Sequence, residues 1–313
     1  MTGAQTATPA AVELANVSRW YGNVVAVNDI SFRLDGGVTG LLGPNGAGKS
    51  TILHMVAGFL APSSGTVTVD GSPAWRHPEM YRRIGLVPER EAVYQFLTGR
   101  EFATANARLQ GIAPAEAADA AARAIGLVEL EDAADRPIGT YSKGMRQRAK
   151  VAGALVHDPP ILLLDEPFNG MDPRQRLHMM ELLRRMAAEG RTILFSSHIL
   201  EEVERLAERV LVIVAGRLAA SGDFREIRRL MTDRPHTFTI RSSDDRALAS
   251  ALLIEPTIAG AALDGGLLTV RTNDFGAFSR AVPGIARRAG IRLHELLPTD
   301  ESLESVFSYL VRR

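Results

Sequence analysis

The chain has 313 residues, 46% hydrophobic and 23% charged, the balance of a globular protein with room for one large domain or two moderate ones. Lys+Arg 36 against Asp+Glu 36 gives a formal net charge of +0, which argues against the overall basic character of a nucleic-acid coat and leaves room for local basic patches. There is no cysteine, which excludes disulfides, thiolate metal sites and a cysteine nucleophile.

The N-terminus, MTGAQTATPAA, has no basic region leading into an apolar core, so residues 1–11 read as a flexible tail and not as a secretory signal. No apolar run approaches the roughly 18 residues of a spanning helix, so the chain reads as soluble, with any membrane role supplied by a partner. From Val12 to about Gly71, β-rich runs alternate with turns: VELANVSRWY, VNDISFRL and GTVTVDG predict strands of a mostly antiparallel layer. Between them, GVTGLLGPNGAGKSTILHMVAGFL predicts an apolar strand, a glycine-rich loop and an amphipathic helix.

The stretch from about Arg90 to Asp158 is alanine-rich and predicts a helical subdomain. Within it, Ser142 is placed to N-cap a helix whose first turns carry Lys143, Arg146, Arg148 and Lys150. Cations at that end oppose the helix macrodipole, by a few tenths of a kcal/mol each. The buried-type strands ILLLDEP, RTILFSSH and RVLVIVAG then alternate with helical segments, which argues for a parallel sheet covered on both faces. This region ends near 225. After a linker over 226–234, residues 235–313 read as β, α, β-hairpin, α, β, α, with DGG at the hairpin turn: a small α+β domain of ferredoxin-like pattern.

GPNGAGKS, from Gly43 to Ser50, matches G-x-x-x-x-G-K-[ST] between a strand and a helix, the context in which the motif binds phosphate. Backbone N–H groups of Gly43, Pro44–Gly48 and their neighbours, proline excepted, would face the anion. This assigns Pro44, Asn45, Gly46, Ala47 and Gly48 to the cradle. Lys49 would reach the β- and γ-phosphates, the Ser50 hydroxyl would bind Mg²⁺, and Thr51 would add a phosphate contact. The competing bland reading is a flexible loop before a helix. Asp165 ends an apolar strand and is a candidate Mg²⁺ ligand; Glu166 follows it as a candidate base for a water attacking the γ-phosphate. His198 ends another such strand, where it could bond the γ-phosphate or be merely structural.

Together these motifs resemble the ATP-binding cassette ATPases over residues 12–225. The resemblance implies a P-loop NTPase α/β fold with an antiparallel β subdomain and a helical subdomain, ATP and Mg²⁺ as ligands, and two cassettes pairing head to tail. YSKGM stands where the family signature L-S-G-G-Q would stand, so Ser142 and Gly144 are implied to contact the γ-phosphate of a partner cassette, while Lys143 and Met145 depart from the pattern. Arg148 and Lys150 are read as a solvated basic face. Tyr21 resembles the aromatic that stacks on adenine, and Trp20, facing the other way on an extended segment, is read as core. Asp172 in GMDP resembles the D-loop acid, Glu166 the catalytic base and His198 the switch histidine. Glu89 follows VP where the family has a Mg²⁺-ligating glutamine; a carboxylate can keep that role, and a surface acid is the bland alternative.

The expected function is therefore the ATPase subunit of an exporter, dimerising with a second nucleotide-binding subunit as a homodimer and docking on a separate transmembrane permease at the cytoplasmic face of the membrane. An importer ATPase is the alternative within the family. Cassettes acting on nucleic acid carry two cassettes or a long coiled-coil insertion, and the interval from Thr51 to Tyr141 is too short for the latter, so no nucleic-acid partner is expected. A small-molecule phosphotransferase would leave the signature segment without a role. The C-terminal domain is read either as regulation and dimer support or as a stability appendage.

Overall fold

The computed structural model describes residues 11–230, 235–264, 266–299 and 302–311. They divide into two compact units between Ser221 and Gly222. The tail assigned to 1–11 lies outside the described residues except for Ala11.

In the first unit, β1 (Val12–Tyr21) and β2 (Val24–Leu34) form an antiparallel pair. β3 (Gly37–Leu42) leads through the glycine-rich loop into α1 (Lys49–Val56). β4 (Ser64–Val69) and the two-residue β5 (Ser72–Pro73) complete a four-stranded sheet ordered β2-β1-β4-β5. β6 (Ile84–Val87) precedes three helices, α2 (Gly99–Leu109), α3 (Pro114–Leu127) and α4 (Lys143–Leu155), that pack on one another as the helical subdomain. Then follow β7 (Ile161–Asp165), α5 (Pro173–Ala188), β8 (Thr192–Ser196), α6 (Leu200–Leu206), β9 (Arg209–Val214) and β10 (Arg217–Gly222).

The second sheet is ordered β10-β9-β3-β8-β7-β6, with parallel pairing from β9 through β6. β7 and β8 are buried at every position because both faces are covered. On one face, α1 contributes Ile52, Leu53, Met55 and Val56 to a core shared with Val12, Leu14 and Ile30 of the antiparallel sheet and with Leu163 and Leu194 of the parallel one. α5 and α6 pack against β3, and α5 also against β8. This supplies the two-layered cover that the unbroken apolar strands demand.

Helix boundaries follow local chemistry. Thr98 and Glu101 make a reciprocal capping box at α2, the Ser142 hydroxyl accepts from the Met145 N–H at α4, and Asp172 accepts from the Gln175 N–H at α5.

Within the second unit, α7 (Phe224–Leu230) occupies much of the segment expected to be a linker over 226–234; residues 231–234 lie outside the described residues. Within this helix Arg228 is buried, donating to the Pro235 carbonyl and lying 5.1 Å over the Tyr309 ring. Next come β11 (His236–Ser242), α8 (Asp245–Leu252), β12 (Ile258–Asp264), β13 (Leu267–Thr272), α9 (Phe275–Arg288), β14 (Leu293–Pro298) and α10 (Leu303–Val311). Gly265, in the DGG expected at the hairpin turn, lies outside the described residues. The sheet order β12-β13-β11-β14, antiparallel throughout, is the ferredoxin-like arrangement, with α8 and α9 burying Leu248, Leu252, Phe278 and Val282 against Phe238, Ile240 and Val270. Among the described residues no helix is long and apolar enough to cross a membrane.

Candidate active site

The site lies where ligands bind in open α/β sheets, at the carboxyl ends of the parallel strands. The loop after β3, the ends of β6 and β7, and the residues after β8 all converge there. Register makes this convergence local: Asp165 pairs with Ser196, and Leu41 pairs with the same serine from the other side.

Residues 45–51 line a cleft of about 320 Å³ together with Ala26, Glu89, Asp165 and Glu166. The loop needs glycine for a steric reason. Gly48 has φ 105°, and a Cβ there would sit 2.4 Å from the Ala26 carbonyl oxygen. A Cβ on Gly43 would sit 2.4 Å from the Ile213 carbonyl oxygen. Lys49 is buried and folds its Nζ back on the loop, donating to the carbonyls of Gly43 at 2.7 Å and Pro44 at 3.2 Å. The ammonium is thus held inside the cradle, facing where a phosphate would bring its own oxygens.

Asp165 and Glu166 are both buried, and Ser196 organises the pair: its hydroxyl donates to Asp165 Oδ1 and accepts from the Glu166 N–H at 3.0 Å. Glu166 leaves the strand with φ 51°, an uncommon conformation for a side chain of its size. Its Oε2 lies 2.9 Å from His198 Nδ1. Burial raises the Glu166 pKa above the ordinary carboxylate value, and Asp165 adds to that; the His198 hydrogen bond and charge, and Lys49, pull the other way. A carboxyl tuned upward and held by an imidazole is suited to accept a proton from water.

The donors fit a hard divalent cation. Ser50, Asp165 and Glu89 offer oxygen ligands around one cleft, while among the described residues no cluster of three or more His, Cys, Asp or Glu side chains could hold a metal alone. That is the pattern of Mg²⁺, which is held by one or two protein oxygens plus phosphates and water.

Ser142, Gly144 and Asp172 are not in this cleft. Gly144 is buried, with a Cβ position 2.9 Å from the Gly170 carbonyl oxygen and 2.5 Å from Gln175 Oε1, so it packs on the segment leading to Asp172. Ser142 and Asp172 are exposed and cap their helices. Tyr21 is half-exposed at the end of β1 under the Arg19 guanidinium, outside the phosphate cleft. Trp20 is 45% exposed: the expected core position is not realised, because β1 shifts register between Arg19 and Trp20 and breaks the alternation.

Two readings of α4 are corrected. Arg148 is half-buried and donates to the carbonyls of Val128 and Glu129, a cation closing the C-terminal end of α3. Lys150 is 6% exposed and donates to the carbonyls of Pro88, Glu89 and Arg90; burial pushes its ammonium down to about 8. Neither is a solvated surface charge. Arg146 bonds the Tyr141 carbonyl and Glu91, and Lys143 lays its stem over Gly170.

Three contributors escaped sequence reasoning: Ser196, Lys150 and Gln147, whose Nε2 donates to the Glu166 carbonyl at 3.4 Å. The serine pair Ser196–Ser197, at and just after the end of β8 and before His198, was the one available signal.

The ABC transporter family model matches residues 27–169. The Nod factor export ATP-binding protein I of Rhizobium sp. (strain N33) is 35% identical over 305 residues, 97% of each chain. Its counterpart from Sinorhizobium fredii (strain NBRC 101917 / NGR234) is 42% identical over 214 residues, 68% of this chain but only 62% of that protein. The daunorubicin/doxorubicin resistance ATP-binding protein DrrA of Streptomyces peucetius is 37% identical over 78% of this chain and 74% of its own. Among solved structures, an ATP-binding subunit of an ABC transporter superposes with TM-score 0.64 at 31% identity, covering 70% of this chain and 92% of that one. A dimeric bacterial ABC transporter cassette has the same fold, with TM-score 0.64 at 24% identity over 68% and 98% of the two chains. The chain belongs to the ABC transporter family, within which it resembles the ATP-binding subunits of bacterial export systems.

Proposed function

We propose that this chain binds and hydrolyses ATP as a Mg²⁺ complex, pairs with a second copy of itself, and drives export through a separate transmembrane permease. The observation that carries the reading is the meeting of the phosphate loop, Asp165 and the Glu166–His198 pair at one sheet edge. Backbone amides of residues 45–50 and the Lys49 ammonium bind the phosphates. Ser50, Asp165 and Glu89 would hold Mg²⁺, which would neutralise phosphate charge. Glu166 accepts a proton from the attacking water, and His198 orients Glu166 and faces the γ-phosphate. Ser142, Gly144 and the N-terminus of α4 serve the nucleotide of the partner copy, and Asp172 faces the same junction. Tyr21 stacks on the base. The names of the similar proteins, which speak of export and of drug resistance, support an exporter at the cytoplasmic face of the membrane.

The test is steady-state ATP hydrolysis by the purified chain with and without Mg²⁺, followed by affinity purification from a membrane extract. Turnover and recovery of a multi-spanning protein support the reading; absence of turnover both alone and with that membrane fraction would overturn it.

A further inference from the structure

We propose that Lys150 is a positioning residue that ties the signature helix α4 to Glu89, so that the segment bearing Glu89 moves with α4; this rests on the nucleotide-site reading above. An ammonium has three N–H donors, and Lys150 directs all three at consecutive main-chain carbonyls: Pro88 at 2.7 Å, Glu89 at 3.2 Å and Arg90 at 3.0 Å. The side chain is buried, so these bonds form where water competes little and where losing them leaves uncompensated groups.

The tether has a direction. Residues 147 and 150 are one helical turn apart and share a face of α4. Gln147 reaches the Glu166 carbonyl, while Lys150 reaches the segment 88–90. That face therefore holds the main chain of both acid-bearing segments, while the N-terminus of the same helix carries Ser142 and Gly144. A helix is stiff along its axis, so a displacement at its N-terminus is passed to Glu89 through the ammonium. The charge is required: a neutral side chain of the same length cannot satisfy three converging carbonyls. Glu89 is itself exposed, and no hydrogen bond of its carboxylate holds it among those the structure gives, so its backbone is what positions it.

The native chain has no cysteine, so Lys150→Cys introduces a single thiol, and alkylation with 2-bromoethylamine rebuilds an ammonium of lysine length. Three preparations are compared: native, Lys150→Met, and aminoethylated Lys150→Cys verified by mass spectrometry. In nucleotide-free protein, hydrogen exchange in peptides covering 84–96 rises about tenfold in Lys150→Met and returns to native in the aminoethylated chain. The same peptides are unchanged relative to native if the tether is absent, which overturns the proposal. A rise spread over the whole first unit marks a folding role alone and also overturns it. With nucleotide, the Mg²⁺ concentration for half-maximal turnover rises about tenfold in Lys150→Met, as for other outer-shell partners of a metal ligand. Affinity for Mg²⁺-free ATP stays within about twofold, since the phosphate loop is untouched. Failure of the native chain to turn over ATP would sink the nucleotide reading, while the exchange measurement still judges the tether itself.

Discussion

Glu166 and His198, 32 positions apart, meet at 2.9 Å between Oε2 and Nδ1 across the ends of the adjacent strands β7 and β8. Neither group is useful alone: the carboxylate needs a partner that holds it on one rotamer, and the imidazole needs an acceptor that fixes its tautomer. Five expectations follow from this pair and the site around it.

Replacing the carboxylate by its amide, Glu166→Gln, keeps shape and an acceptor for His198 but removes the base. Turnover is expected to fall by about 10²–10⁴-fold, and the ATP-bound variant accumulates as a dimer. Light scattering with and without ATP checks this; turnover close to native would end the assignment of Glu166 as base.

The same substitution has a pH signature in stability. Burial raises the Glu166 pKa in the folded chain, so the folded state favours the protonated form. That contribution is fully present below the ordinary glutamate value, about 4.3, and is lost as pH rises through the raised value. Glu166→Gln should therefore melt with the native chain near pH 4 and above it near neutrality. Scanning calorimetry of nucleotide-free protein across that window measures the difference; a constant difference would mean Glu166 titrates normally.

Removing the imidazole with His198→Ala takes away the hydrogen bond and the charge that lower the Glu166 pKa. The acid limb of kcat should move to higher pH, and kcat at its plateau should drop by roughly 10²-fold. A plateau loss with an unmoved acid limb would assign His198 to phosphate contact alone.

Gly48→Ala places a methyl carbon 2.4 Å from the Ala26 carbonyl in a backbone with φ 105°. The loop must then shift, and ATP affinity should fall by more than about tenfold while the second unit melts unchanged. Isothermal titration gives the first quantity and calorimetry the second.

Mixing Lys49→Ala and Ser142→Ala chains tests the pairing of two copies. Each homodimer has both sites damaged; a head-to-tail mixture restores one intact site and should recover about a quarter of native turnover by random assortment of half the dimers. No recovery on mixing would argue against composite sites.

The phosphate loop and the Asp165–Glu166 pair were legible because their chemistry is written in contiguous residues: a glycine pattern between strand and helix, and two acids ending an apolar run. Strand and helix order followed for the same reason, since period-2 and period-3.6 patterns are local. The second unit's βαββαβ order was equally local, but its sheet order was not: only β12 and β13 pair as a hairpin, while β11 pairs with β13 and β14 across intervening helices. Besides Trp20 and the segment after 225, sequence alone misjudged α4. Arg148 and Lys150 carry charge, which locally predicts a solvated face; whether they are solvated depends on carbonyls contributed by residues 128–129 and 88–90, brought there by packing. Ser196 is the same case, an unremarkable hydroxyl until strand register sets it between Asp165 and the Glu166 N–H. Local pattern determined which elements form and which loop carries the phosphate-binding motif. Tertiary structure decided which polar side chains are satisfied by the main chain, because main-chain acceptors belong to no residue type and leave no mark in the sequence.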